Sequence, residues 1–409
     1  MIIRATAVVT MDGPPIENGA VVISGDRIVD VGNFSDLKRR HSGQKIVDLG
    51  EQTLLPGLIN AHCHLDYTCL RGKIPRPKSF TQWIRSINAE KGKLSARDYV
   101  RSIKEGFAEA RRFGTTAIAN LTSFPELASK IDSPIRAWWF GELIDVRDPD
   151  RVSEIVDLAV DQLKSQKYWG LAPHAPFTAS AELFQRCAEV AQCEDILLTT
   201  HLAESSEEMS MFRAAKGELY DFLKGLGRDM RDCGRTTPLK EFLGRGGSPN
   251  RLRSAAVNRP YLLVHLNELV DNDFDLFSKS ERNFSVVHCP RSHAYFGHSP
   301  FQFQRLRKAG FNLCLGTDSL ASNENLSLFA EMQVFQMQFP DVSTEEILKM
   351  VTVNPGRALG QETALGRIRS GFMADLIAVP VKRSTRLFDE VIGFEQPLVW
   401  SMASGQISA

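Results

Sequence analysis

The sequence predicts an α/β protein: a (β/α)8 TIM-type barrel with a small β-sandwich built from both chain termini. Three observations carry that expectation. Eight short apolar runs recur through the middle of the chain, helix-like segments separate most of them, and both ends alternate instead with the two-residue period of half-buried strands. Eight strands with helical connections imply a parallel sheet, and eight is the number that closes such a barrel. An open doubly wound sheet is the alternative with the same pattern.

In chain order, the N-terminal part comes first. "AVVISGDRIVDVG" (20–32) alternates apolar and polar residues around a Gly-Asp turn, as a hairpin does. The barrel strands are expected at "GLINAH" (57–62), "TTAIAN" (115–120), "IRAWWF" (135–140), "YWGLAP" (168–173), "ILLTTH" (196–201), "YLLVH" (261–265), "FSVVHC" (284–289) and "NLCLGTD" (312–318). Segments such as "SARDYVRSIKEGFAEARRFG" and "SAELFQRCAEVAQ" supply the helices. "GRIRSGFMADLIAVPV" and "PLVWSMASGQIS" return to strand-like pieces divided by glycines. The expected domains are therefore a composite β-sandwich, residues 1–55 with 360–409, and a catalytic barrel, residues 56–359. The connection from Gly225 to Pro260 is long and rich in Gly, Arg, Asp and Pro, so it reads either as a lid over the barrel mouth or as a surface insertion.

Composition narrows the function. The 409 residues are 43% hydrophobic and 24% charged, with Lys+Arg and Asp+Glu both at 49. This balance gives no electrostatic pull toward nucleic acid or an anionic membrane and favours a small-molecule ligand. Seven irregularly spaced cysteines do not form a disulfide framework, and no apolar run approaches the ~18 residues of a membrane span. A reduced cytoplasmic setting is expected, and a homodimer is compatible with the sequence.

Polar residues cluster at the C-terminal ends of the expected strands, where a barrel carries its active site. They are His62, His64, Asn120, Glu142, His174, His201, His265, His288 and Asp318. In "AHCHLD", His62 and His64 lie two apart on a strand and project to one face, so both can reach one metal ion. Cys63 then points away. Neutral imidazoles suit zinc, and a catalytic zinc keeps one position open.

"LLPGLINAHCHLD" resembles the first-strand signature of the amidohydrolase superfamily. "APHAPFTAS", "THLAESSEE", "VHCPRSHAYFG" and "LGTDSLASNENLSLFAEM" match its later segments in order, and "TVNPGRALG" and "GRIRSGFMADLIAV" resemble its closing elements. Within it the chain is similar to mononuclear aminohydrolases of adenine-, guanine- and cytosine-type rings. The resemblance implies one divalent metal ion, zinc with iron or manganese as alternatives, held by His62, His64, His201 and Asp318. The lysine that bridges two metals in the binuclear branch is missing from "YWGLAPHAP". Glu204, in the H-x-x-E arrangement after His201, would protonate the ring nitrogen. Asp318 would accept the proton of water and pass it to departing ammonia, and His265 would orient the water. A glutamate beginning a helix can instead serve the helix N-terminus, and His265 can instead be a core histidine.

The same resemblance places His174 on the substrate's sugar, with Ser319 beside the last ligand. "SFTQWI" aligns with a segment that holds the ribose diol through a glutamate in S-adenosylhomocysteine and methylthioadenosine deaminases. Thr81 and Gln82 stand there instead, and Gln82 is the expected contact. "SNENLSLFAEM", "HLAESSEE" and "RSHAYFGHSPF" look more like aminodeoxyfutalosine deaminases of a menaquinone pathway, whose substrate carries an aromatic acid. Arg71, Lys73, Arg76 and Arg291 are the cations expected to meet that carboxylate, arginine being the better bidentate partner. S-adenosylhomocysteine, methylthioadenosine or adenosine rank next, then guanine- or triazine-type rings, including dechlorination. His288 is expected to support the site, and the role of His293 is open.

Overall fold

The computed structural model describes residues 1–146, 148–247, 261–279, 284–381 and 385–408. Its centre is a parallel sheet hydrogen-bonded in chain order. The strands are β1 (Leu58–His64), β2 (Thr115–Thr122), β3 (Arg136–Leu143), β4 (Trp169–Pro173), β5 (Leu197–Leu202), β6 (Tyr261–His265), β7 (Phe284–His288) and β8 (Asn312–Leu315). Several run one to three residues past the apolar stretches that mark them, because ladder pairing continues through the polar residues at the rim.

The eighth strand differs from the expected single run over 312–318. β8 pairs with β7, the chain then bends, and a short β9 (Asp318–Ser319) pairs with β1 at Cys63 and His64. Crowding explains the break. A Cβ on Gly316 would lie 2.7 Å from the His62 carbonyl oxygen, and Asp318 sits at φ 57. The sheet thereby returns to its first strand, as a TIM-like barrel does.

Helices cover the outside. α1 (Phe80–Lys91) starts on the Ser79 cap, and α2 (Ala96–Arg112) starts on a capping box between Ser95 and Asp98. α2 buries Tyr99, Ile103, Phe107 and Ala110 at helical spacing, in one apolar cluster with Cys63 and Leu65. Cys63 therefore packs outward from β1, with its Sγ 3.6 Å from the Ala119 carbonyl oxygen.

The two ends of the chain share a sheet. Thr53–Pro56 lies beside Ala7–Val8 and runs antiparallel to Leu376–Val379, which is followed by Ser401–Ala403 and Gln406–Ser408. A second sheet holds Ile2–Arg4, Gly19–Ser24, Arg27–Asn33 and Ile46–Asp48. Its hairpin turns at Gly25, whose φ of +61 suits the first position of a two-residue loop. Ile3, Val21 and Ile28 from this sheet join Leu54, Leu376 and Met402 from the other in one apolar cluster.

A buried ion pair ties β3 to that terminal sheet. Arg136 Nε donates to Asp375 Oδ2 at 2.7 Å, with both side chains under one-tenth exposed. Asp375 Oδ1 also accepts from the Ser404 amide. Arg136→Ala is expected to cost about 3–5 kcal/mol of unfolding free energy, because it strands a carboxylate away from water. Replacing both partners by apolar residues should cost less. Denaturant unfolding of the three variants reads this, and a loss under about 1 kcal/mol for Arg136→Ala would show that water reaches Asp375.

Candidate active site

The strand ends converge where the sequence places its histidines. β1 delivers His62 and His64, β5 delivers His201, β6 delivers His265 and β9 delivers Asp318, all buried. The backbone bends sharply at this rim. Ala203, His265, Leu266 and Asp318 have φ values of 50, 78, 50 and 57, a region non-glycine residues seldom occupy. Such strain concentrated at one mouth is characteristic of functional sites.

Ring nitrogens of His62, His64 and His201 lie within 4.8 Å of one another. His64 Nε2 is 3.2 Å from His201 Nε2, and Asp318 Oδ1 is 3.7 Å from His62 Nε2 and 3.9 Å from His64 Nε2. The latter two distances exceed hydrogen-bond reach. His201 Nδ1 lies 3.1 Å from the His174 carbonyl oxygen, which can only accept, so this nitrogen carries the proton and Nε2 presents its lone pair to the group. Both ring nitrogens of His62 are buried without a hydrogen-bond partner. Orphaned imidazole nitrogens around a carboxylate are what a divalent cation of borderline softness requires, so the donor set fits such an ion.

Electrostatics agree. Burial pushes His64 down to about 4, and burial together with neighbouring imidazoles pushes His201 well below its usual range. Neutral imidazole is the ligating form. Burial alone would raise Asp318, but the imidazoles of His62, His265 and His64 outweigh it and hold the carboxyl well below its ordinary value. Its second oxygen accepts from Ser292 Oγ at 2.6 Å and Ser322 Oγ at 3.2 Å, which fixes its orientation.

Glu204 follows β5 and precedes Ser205, the cap of α3 (Ser206–Ala214). The helix-start role belongs to its neighbours. Glu208 Oε2 accepts from the Glu204 amide, and Glu207 reaches across to the amide of Phe80 at the start of α1. Glu204 itself is buried, with Oε1 3.6 Å from His265 Nε2. Burial, then the charges of Asp318 and Glu208, raises its carboxyl well above the usual range, which favours the protonated form.

A cavity of about 620 Å³ opens above these groups, and Glu204, His265, Asp318, Ser319 and His174 all line it. Its outer walls are apolar: Phe80, Trp83 and Ile87 from α1, Phe177 after β4, and Phe222 and Leu226 further on. The remaining expected substrate contacts are placed elsewhere. Arg71 pairs with Glu109, Arg76 donates to the carbonyls of Ala294 and Tyr295, and Arg291 is engaged by Asn325 and Glu324. Gln82 accepts from the Lys78 amide on the outer turn of α1. None of these four is part of the cavity lining, although substrate contacts are expected from the sequence at Arg71, Gln82 and Arg291.

One lining residue escapes the sequence reading, and another is read there without a role. Lys91 ends α1 with its Nζ 4.7 Å from the Tyr67 ring centroid, and it is the cation of the described lining. Phe80, Ile84, Ile87 and Lys91 repeat at helical spacing, so the signal was present in the segment after β1. Glu142 is visible in the sequence as a strand-end acid, but nothing there assigns it a partner. His288 stacks on Phe301 with centroids 3.9 Å apart, and His293 Nε2 lies 2.9 Å from the Ser299 carbonyl oxygen; neither lines the cavity.

The connection after 225 is described up to 247. Arg228 and Arg245 share Asp232, and both donate to the Pro176 carbonyl after β4. Residues 248–260, where the rest of the expected lid falls, lie outside the described residues.

Comparison with known proteins places this arrangement. A model of the amidohydrolase family matches residues 53–395, and one of a bacterial imidazolonepropionase-like composite domain matches residues 19–41. The chain is 26% identical over 400 residues to a 5-methylthioadenosine/S-adenosylhomocysteine deaminase of Moorella thermoacetica, covering 94% of this chain and 86% of the relative. It is 28% identical to a 5'-deoxyadenosine deaminase of Methanothrix thermoacetophila, covering 100% and 91%. In fold it is similar to Helicobacter pylori aminofutalosine deaminase in complex with methylthio-coformycin, with a TM-score of 0.85, 20% identity and 100% of both chains covered. An adenosine deaminase from Xanthomonas campestris with bound zinc gives a TM-score of 0.80 at 23% identity, covering 99% and 92%. The family model spans most of the chain, barrel and strand-end histidines included: this chain belongs to the amidohydrolase family.

Proposed function

We propose that the protein is a metal-dependent hydrolytic deaminase that replaces the exocyclic amino group of an adenine-type nucleoside with oxygen and releases ammonia. One observation carries this reading: buried Glu204, its carboxyl raised well above the usual range, lines the same cavity as His64, His201 and Asp318, beside the three-histidine cluster. His62, His64, His201 and Asp318 would hold one divalent ion, for which zinc is the choice these donors favour. When bound, such an ion supplies Lewis-acid activation of water at neutral pH.

The chain's own groups do the rest. Glu204 gives its proton to the ring nitrogen beside the attacked carbon, which takes up charge as the carbon becomes tetrahedral. His265, 3.6 Å from Glu204, orients the incoming water. Asp318 takes the proton released by that water and returns it to the departing amine. His174 and Ser319, which both line the cavity, border the substrate. The apolar wall receives a hydrophobic or aromatic group on the sugar.

Aminodeoxyfutalosine, an adenine nucleoside bearing an aromatic acid, suits that wall, with Lys91 in the role first expected of Arg71 or Arg291. The names of the sequence relatives equally support methylthioadenosine, S-adenosylhomocysteine and 5'-deoxyadenosine. In the same reading, residues 1–55 and 360–409 form a composite β-sandwich beside a catalytic barrel of residues 56–359.

The test is metal analysis combined with ammonia release from aminodeoxyfutalosine, methylthioadenosine, S-adenosylhomocysteine, 5'-deoxyadenosine, adenosine and guanine. The expected result is about one metal per chain and turnover of at least one adenine nucleoside, lost on chelation and restored by zinc. A protein without metal that releases no ammonia from the panel would refute the proposal.

A further inference from the structure

We infer that Glu142 is a substrate-binding residue that recognises the sugar: together with His174 it accepts hydrogen bonds from two neighbouring hydroxyls of the nucleoside. The inference rests on the deaminase reading and identifies which part of the substrate faces this side of the cavity.

Glu142 stands near the end of β3 and lines the cavity, its side chain only 5% exposed. Its two oxygens are treated differently. Oε2 accepts from Ser123 Oγ at 2.7 Å, and that hydroxyl is 3.0 Å from the Tyr67 hydroxyl. Oε1 has no such donor among the described residues. Its nearest ring nitrogens are His64 Nδ1 at 3.9 Å and His174 Nε2 at 4.0 Å, both beyond hydrogen-bond length.

The tautomer of His174 sharpens this. Thr178 Oγ1 donates to the Ala175 carbonyl at 3.3 Å and lies 2.6 Å from His174 Nδ1. In the tautomer that places Nδ1–H on the threonine oxygen, Nε2 is left as an acceptor. Two acceptors, Oε1 and Nε2, therefore face one cavity 4.0 Å apart, and neither can satisfy the other. Oε1 belongs to a cavity-lining residue and is not paired among the described residues, so its donors come from what occupies the cavity. Adjacent hydroxyls on a five-membered sugar offer two O–H donors, each able to sit about 2.8 Å from one acceptor. An apolar or acidic group at this point would leave the carboxylate worse off.

The alternative uses of Glu142 are to orient His64 or to take part in metal binding, since Glu142, His174 and His201 also lie within 4.8 Å of one another. The experiment separates these. The metal-loaded protein is assayed with the adenine nucleoside of the panel above that it turns over fastest, and with that nucleoside's 2',3'-dideoxy counterpart. The wild-type kcat/KM is expected to fall about 10- to 100-fold without the hydroxyls, the value of hydrogen bonds to a charged group. Glu142→Gln should lose a similar factor on the hydroxylated substrate, mainly through KM, distinguish the two substrates far less than the wild type does, and keep its metal.

Equal use of both nucleosides by the wild type overturns the inference while leaving the deaminase reading intact. So does loss of metal from Glu142→Gln, or undiminished discrimination by that variant. If no adenine nucleoside is turned over by the metal-loaded wild type, the deaminase reading itself fails, and this inference with it.

Discussion

His201→Ala is expected to release the metal and to lower deamination by about a thousandfold or more, because a metal's transition-state stabilisation amounts to several kcal/mol at 1.36 kcal/mol per tenfold. His201 is the informative position for three reasons. Its Nε2 lies 3.2 Å from His64 Nε2, its Nδ1 is held by a backbone carbonyl, and its ring packs 5.4 Å from that of His265. The side chain is thus pre-aimed, and alanine removes a ligand without disturbing β5, whose pairing is through the backbone. Metal stoichiometry after dialysis and turnover with the best nucleoside are the two readings. Full metal content in the variant would show that His201 is not a ligand.

Glu204→Gln is expected to behave differently, keeping the metal while turnover drops about 10²- to 10⁴-fold, the range for a positioned general acid. Glutamine preserves volume but has no acidic proton to give. The wild-type profile should also reveal Glu204 through pH. Its folded pKa is raised, so the active, protonated form predominates below that value, and activity falls as pH rises through it. In Glu204→Gln this alkaline fall should disappear from the residual rate. Metal loss in the variant, or an unchanged alkaline limb, would remove Glu204 from the acid's role.

Both predictions concern residues that could be read without coordinates, and the reason is geometric. A strand places residues two apart on one side, so H-x-H already describes a pair, and strand-end residues meet at the rim whatever their sequence separation. Cys63 follows from the same alternation. The basic residues obey no such rule. Nothing in "LRGKIPRP" reveals that Arg71 is taken by Glu109 on α2, or that Arg76 caps carbonyls near Tyr295. Arg291 is neutralised by partners over thirty residues downstream. A long flexible cation goes to whatever acceptor the fold brings near, and that acceptor is chosen by tertiary structure. The split of the eighth strand was equally hidden, since it depends on Gly316 lying against the backbone of β1.

The way the sheets close has a consequence for how the chain is made. Asn60 Nδ2 bonds Thr317 Oγ1 across 257 residues, and Thr53 Oγ1 bonds the Val381 carbonyl across 328. Contacts this distant in sequence form late, because the loop entropy must be met before they return anything. During synthesis β1 and Thr53–Pro56 emerge early yet wait for partners near the other end, presenting open strand edges meanwhile. Until the last strands leave the ribosome, this is a protein that depends on not meeting its neighbours.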